Sequence, residues 1–156
     1  MRILLLLTFS VIILLPQSSA QAVEKHRMVV LTDIEADPDD TQTLVRLLLY
    51  SNLIDIKGLV ATTSTHLRDE IHPESIESVI KAYGKIRDNL LLHEPGYPEA
   101  DDLLELIKLG PPKYGMEAVG AGKDTEGSDW IIKVLEEEDS RPLWISVWGG
   151  ANVLAQ

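Results

Sequence analysis

The chain has 156 residues, enough for one domain with a substantial core and too few for two ordinary ones. Hydrophobic residues make up 45% and charged residues 25%, which excludes a disordered polymer. Lys and Arg number 14 against 25 Asp and Glu, a net charge of −11 with no basic run, so no nucleic-acid partner is expected and a metal cation or a neutral polar substrate suits the surface better. There is no cysteine, which removes thiol nucleophiles, cysteine-ligated zinc, iron–sulfur clusters and disulfides together.

Met1-Arg2 is a short positive start, Ile3 to Leu15 is almost wholly apolar, and Ala20-Gln21-Ala22 reads as a small-residue cleavage site. This layout predicts a signal peptide over residues 1–22 and one domain over 23–156. The apolar run is short for a membrane span and no Cys follows it for a lipid anchor, so a secreted or periplasmic protein without stable membrane insertion after cleavage is expected.

Met28-Val-Val-Leu31 is a continuous apolar run, as for a strand buried on both faces. Asp37-Pro38 suits a helix start, with Leu44, Leu47, Leu48 and Tyr50 as its stripe and an end near Ser51-Asn52. Ile56 to Thr63 reads as the next strand. Strand, helix and strand within about 35 residues make a βαβ unit and imply a parallel sheet. Ile76, Val79, Ile80 and Tyr83 place a helix from Pro73, Leu90-Leu-Leu92 suggests a short strand, and Gly96-Tyr-Pro98 suggests a turn. Leu103, Leu104, Leu106 and Ile107 predict a helix closed by Gly110-Pro-Pro112. Lys113 to Ser128 reads as a Gly-rich loop, Ser128 as the cap of a helix carrying Trp130, Ile131, Val134 and Leu135, and Leu143 to Val147 as a strand broken by Gly149-Gly150. The fold class is α/β, an open, mostly parallel sheet with flanking helices. Gly149 to Gln156 looks like the opening turn of a helix, so the domain is expected to be an N-terminal fragment, incomplete at its C-terminus.

Thr32-Asp-Ile-Glu-Ala-Asp-Pro-Asp-Asp40 follows the first strand, where an open parallel sheet places its ligands, and packs five carboxylates into the eight positions from Asp33. Five like charges so close repel one another, and a hard cation such as Ca²⁺, which takes oxygen ligands, resolves the repulsion. Capping explains Asp37 and helps with Asp39, but not Asp33 and Glu35 directly behind a buried strand.

This run resembles the strand-D-x-D-P-G-x-D-D signature of the inosine–uridine-preferring nucleoside hydrolases. It resembles more closely the nucleoside hydrolase-like domain of secreted bacterial proteins labelled cellulose-binding. That likeness extends through Gly58-Leu-Val-Ala-Thr-Thr-Ser-Thr65, Tyr114-Gly-Met, Gly120-Ala-Gly-Lys-Asp124 and Trp144-Ile-Ser-Val-Trp-Gly-Gly-Ala-Asn152, from about Arg27 to Gln156. The resemblance implies Asp40, Glu35 and the carbonyl of Ala151 as calcium ligands, and Glu35 as the base that activates water, with Asp33 as the first Asp of the motif. It implies Asp39, Thr65 and Asn152 near the sugar, Asp39 also at the metal site. Glu35 stands for Asp, Asp37 stands for Gly, and a later Asp and His of the hydrolases would lie beyond Gln156. The function implied is calcium-dependent hydrolysis of an N-glycosyl bond, in a nucleoside or a related glycosyl compound. An exported carbohydrate-binding or glycan-processing module on the same fold is the alternative.

Other residues add less. His66 follows a strand end and is a candidate for the same pocket, and Trp148 is placed to stack on a sugar or base, whereas Trp144 reads as core. His72 and His93 read as solvated, and Glu136-Glu-Glu-Asp139 as a solvated helix end. Gly120-Ala-Gly-Lys123 fails as a phosphate loop, because Glu117 and Asp124 stand where Gly and Ser/Thr belong, though Lys123 and Asp124 could close over the pocket. A strand followed by Asp33-x-Glu35 faintly echoes the haloacid dehalogenase phosphatases, in which Asp39-Asp40 would have no role. The expected partners are a small sugar or nucleoside, with a polysaccharide and a second copy of the chain as further candidates.

Overall fold

A computed structural model describes residues 24–156; the expected signal peptide lies outside the described residues. Strands β1 (His26–Thr32), β2 (Ile54–Ala61), β3 (Ile107–Leu109) and β4 (Leu143–Val147) form one parallel sheet in the order β3-β2-β1-β4. Helices α1 (Pro38–Leu49), α2 (Pro73–Gly84), α3 (Arg87–Leu91), α4 (Ala100–Leu104), α5 (Glu126–Leu135) and α6 (Asn152–Ala155) connect or follow them, with a 3₁₀ turn at Met116–Ala118. The open parallel α/β architecture is the one expected.

The central strand explains the arrangement. Val29, Val30 and Leu31 are fully buried, and alternation sends Val30 to one face and its two neighbours to the other. Val30 joins Leu44, Leu47 and Leu48 of α1 and Ile76 and Ile80 of α2. Val29 and Leu31 join Ile131 and Val134 of α5 and Val153 of α6. Burying each of these leucines or isoleucines removes enough apolar surface to stabilise the fold by about 2–3 kcal/mol. The β1–β2 register shifts by one residue between Met28 and Val29, and the Trp130 indole donates to the Lys57 carbonyl at that irregularity, 2.7 Å away.

Several expectations are corrected. Leu90-Leu-Leu92 is no strand: Leu90 and Leu91 belong to α3, and Leu92 follows it exposed. The edge of β2 that such a strand would need is taken by β3. The helix predicted through Leu106 and Ile107 ends at Leu104, because Ile107 pairs with Leu59 and the Leu106 carbonyl accepts Leu59 N–H at 2.9 Å. A free strand edge outweighs helical periodicity over so few residues. Thr125, not Ser128, caps α5; its hydroxyl accepts Ser128 N–H at 3.2 Å while Ser128 Oγ accepts Thr125 N–H at 2.8 Å. Strand β2 runs two residues earlier than expected, and Tyr50 is an exposed helix end rather than part of the buried stripe. Trp144 is not core: it is 58% exposed on β4, an edge strand.

Glu137 and Asp139 are not merely solvated. Buried Arg27 donates to the Val134 carbonyl at 2.6 Å and to Glu137 at 3.1 Å, and Arg141 joins Asp139 and Asp55 at 2.6 and 2.7 Å. These pairs tie the turn after α5 to the amino ends of β1 and β2. Among the described residues no helix is long and apolar enough to cross a membrane.

Candidate functional site

From β1 the chain builds β2 and β3 on one side and returns to place β4 on the other. The connections therefore diverge at the carboxyl ends of β1 and β4, the switch point at which open parallel sheets place their ligands. Backbone bonds bring three strand ends together at that point. Thr62 N–H donates to the Thr32 carbonyl at 2.9 Å, Trp148 N–H to Leu31 at 2.8 Å and Gly150 N–H to Thr63 at 2.9 Å.

The acid run begins at this switch point. Asp33 is 7% exposed just past β1, and Ala36 N–H donates to its carbonyl at 2.9 Å, closing a turn. Asp40, in the first turn of α1, is also 7% exposed, and its Oδ2 accepts the Thr32 hydroxyl at 2.5 Å. Burial, together with the nearby charges of Asp33 and Asp39, pushes the Asp40 carboxyl up to about 6, against the opposing pull of Thr32. Two buried carboxylates thus share one corner of the molecule. Asp37 occupies the N-cap position of α1 but makes no side-chain cap bond.

The turn after β4 closes the other wall. A Cβ on Gly149 would lie 2.7 Å from the Cβ, Cγ and Oδ1 of Asp33, and one on Gly150 would lie 2.3 Å from the Thr63 carbonyl. Only glycine lets this backbone approach the acid loop so closely. Thr63 is fully buried, and its hydroxyl has no hydrogen-bond partner among the described residues.

Glu35 stands apart from this pair. It is exposed, sits at φ +80° in the left-handed region, and with Asp37, Thr41 and Gln42 lines a groove of about 450 Å³. A residue with a side chain holds that backbone at a cost of about 1 kcal/mol or more, a strain typical of functional loops. Ala151 is exposed at the start of α6, while Asn152 is buried with its amide donating to the Gly115 carbonyl at 2.6 Å. Those two residues line a second groove of about 230 Å³ with Tyr114, Met116 and Val119. Thr65 and His66 are exposed in the loop after β2. Trp148 packs partly against the α1 side of the core and donates from its indole to Ser146 Oγ at 2.9 Å.

Lys123 and Asp124 are engaged within their own corner: Lys123 donates to the Glu117 carbonyl, and Asp124 accepts from Gln156 at 2.6 Å. His72, read from the sequence as solvated, is half-buried against Glu74, with Nδ1 at 2.8 Å from its carboxylate; that bond raises its pKa above the ordinary histidine value. His93 is exposed.

The donor set suits a hard cation in kind, since every side chain offers oxygen. In number it falls short. Among the described residues no three His, Asp or Glu side chains converge to hold a metal ion. Asp40 and Asp33 would therefore hold calcium only together with backbone carbonyls, water or ligand hydroxyls.

Two elements of the site were not singled out from the sequence. Thr32 opens the acid run in the sequence without being given a role, though a Thr directly before such a run is a visible signal. The contact of Gly149 with Asp33 joins residues far apart in the chain, and only the fold reveals it.

Residues 27–156 match the family described as "Cellulose-binding Sde182, nucleoside hydrolase-like domain". A solved structure of a nucleoside hydrolase-related hypothetical protein from Saccharophagus degradans, described as associated with carbohydrate metabolism, is similar at 37% identity and a TM-score of 0.82. The match covers 85% of this chain and 32% of that one, so the chain spans about a third of that protein's length. None of the curated proteins compared with it is similar enough to count as a relative.

Proposed function

Because the chain belongs to the nucleoside hydrolase-like domain family of cellulose-binding proteins, we propose that its crevice between β1 and β4 binds the hydroxyls of a carbohydrate or glycoside. The observation that carries this reading is the pair of buried carboxylates, Asp33 and Asp40, at the switch point of the sheet. A carboxylate accepts hydrogen bonds through several lone pairs, and adjacent sugar hydroxyls supply donors in pairs. Asp39, exposed on the same helical turn, adds a third acceptor.

A second reading, calcium-dependent hydrolysis of an N-glycosyl bond, is favoured by one specific observation. The raised pKa of Asp40 reflects first its burial and then the like charges of Asp33 and Asp39, and a divalent cation would supply the counter-charge that such a buried, crowded carboxylate wants. Calcium, when bound, lowers the pKa of a water and orients it. Glu35, exposed at the rim, would take the proton, and Asp39 would hold the sugar. An exported protein with these properties would meet its glycans outside the cytoplasm.

The test is calorimetric titration of the protein with cellotetraose, with CaCl₂ and with both, beside Asp40→Asn. Cellotetraose heat that disappears in the variant supports the carbohydrate reading. Free base released from inosine or uridine with calcium present, and absent from Glu35→Gln, supports the second. Silence toward both probes refutes the proposal for this chain.

A further inference from the structure

We infer that Thr32 is the positioning residue of the acid crevice, its single hydroxyl setting the loop and the Asp40 carboxylate in one geometry. Thr32 closes β1 and is 1% exposed. Its backbone is held by the sheet, with its carbonyl accepting Thr62 N–H at 2.9 Å. Its Oγ1 accepts Ile34 N–H at 3.1 Å and donates to Asp40 Oδ2 at 2.5 Å. A hydroxyl has one proton and two lone pairs. One lone pair faces the Ile34 amide, and an ionised Asp40 has only acceptors to offer, so the hydroxyl proton goes to Oδ2.

One oxygen therefore joins three parts of the site: the rigid end of the central strand, the turn that carries Asp33, and the first turn of α1. Asp33 lies between the two residues so bonded, and Gly149 packs against it from the β4 side. Like charges would otherwise drive Asp33 and Asp40 apart, and a fixed donor on one of them resists that. The bland account is that a β-branched residue merely suits a strand end. It predicts that valine, with the same shape and no hydroxyl, serves equally well.

The inference deepens the carbohydrate reading and rests on it only for its ligand. Thr32→Val and Thr32→Ser are compared with the unaltered protein in two measurements. In hydrogen exchange, Val at this position should speed exchange of the Ile34 amide about tenfold while the Val30 amide keeps its protection, and Ser should restore the Ile34 rate. In titration with cellotetraose and with CaCl₂ below the melting range, Val should weaken binding about tenfold, and Ser should stay within about twofold.

An unchanged Ile34 rate, or a Val variant that is less stable yet binds with unaltered affinity, overturns the inference. If the unaltered protein binds neither probe, the carbohydrate reading fails. The Ile34 rate and the Asp40 side-chain orientation in a crystal structure of Thr32→Val then decide the role of Thr32 alone. Should Thr32→Val not fold, Thr32→Ala takes its place in both measurements.

Discussion

Replacing Asp40 by Asn should stabilise the metal-free protein at neutral pH, although it removes a central group of the site. The folded carboxyl titrates near 6 against an ordinary value of 3.8, so the fold penalises the ionised form. In a fully dry site that difference would be worth about 3 kcal/mol, and solvent screening at the mouth of the crevice leaves about 1–2 kcal/mol. The penalty is fully present above about pH 6 and fades as pH falls through the folded value toward 3.8. Asn carries no charge, and its carbonyl oxygen can still accept the Thr32 hydroxyl. Urea denaturation in EDTA should therefore show Asp40→Asn more stable by about 1–2 kcal/mol at pH 7.5, with the gain gone by pH 4. No gain at pH 7.5, or the same gain at every pH, would refute the reasoning, because the penalty would then not come from ionisation.

Further outcomes are expected at three other positions. Gly149→Ala drives a methyl into Asp33, which stands 2.7 Å from the added Cβ, and should lower stability by about 1–3 kcal/mol in thermal denaturation while weakening cellotetraose binding. Glu35→Gly should leave the urea midpoint nearly unchanged, since relief of the positive φ offsets the added freedom of the unfolded chain. Glu35→Val should cost at least about 1 kcal/mol, because a β-branched residue resists that backbone. Arg141 holds the Asp139 carboxyl well below the usual carboxylate range, so their pairing stabilises the fold above pH 4 and is lost as acid protonates Asp139. Arg141→Ala should accordingly be less stable than the unaltered protein at pH 7, with the difference narrowing below pH 4 in acid titrations followed by circular dichroism.

The parts of this fold that could be read from the sequence are those set by local pattern. Val29-Val-Leu31 reads as a doubly buried strand because nothing but a central position suits that run, and Pro73 opens a helix because its missing N–H is no loss there. Strand β3 was invisible for the opposite reason. Ile107 to Leu109 is three residues long, follows a helix-like Leu pattern and is a strand only because β2 offers it an edge. Trp144 was misread on similar grounds, since an apolar strand residue looks like core whether or not a neighbouring layer covers it. In the site, the acid run marks the place, but its division into a buried pair and an exposed Glu35 depends on the backbone turn at φ +80°, which no residue type there announces.

That division bears on which chemistry the domain performs. A carboxylate buried beside another is costly to the fold, and it persists here because β1, packed on both faces, gives Thr32 a rigid place from which to hold Asp40. Glu35 sits on a flank that carries backbone strain but little burial, where a change of loop conformation would be cheap. On the proposed carbohydrate reading, the buried pair is the fixed binding element, with its acceptors in place before a ligand arrives. On the hydrolytic reading, any catalytic step would need the Glu35 carboxylate, exposed at the rim, to reach the pair. Of the two proposed readings, binding asks nothing further of this geometry, whereas hydrolysis asks that Glu35, which stands apart from the buried pair, be brought to it.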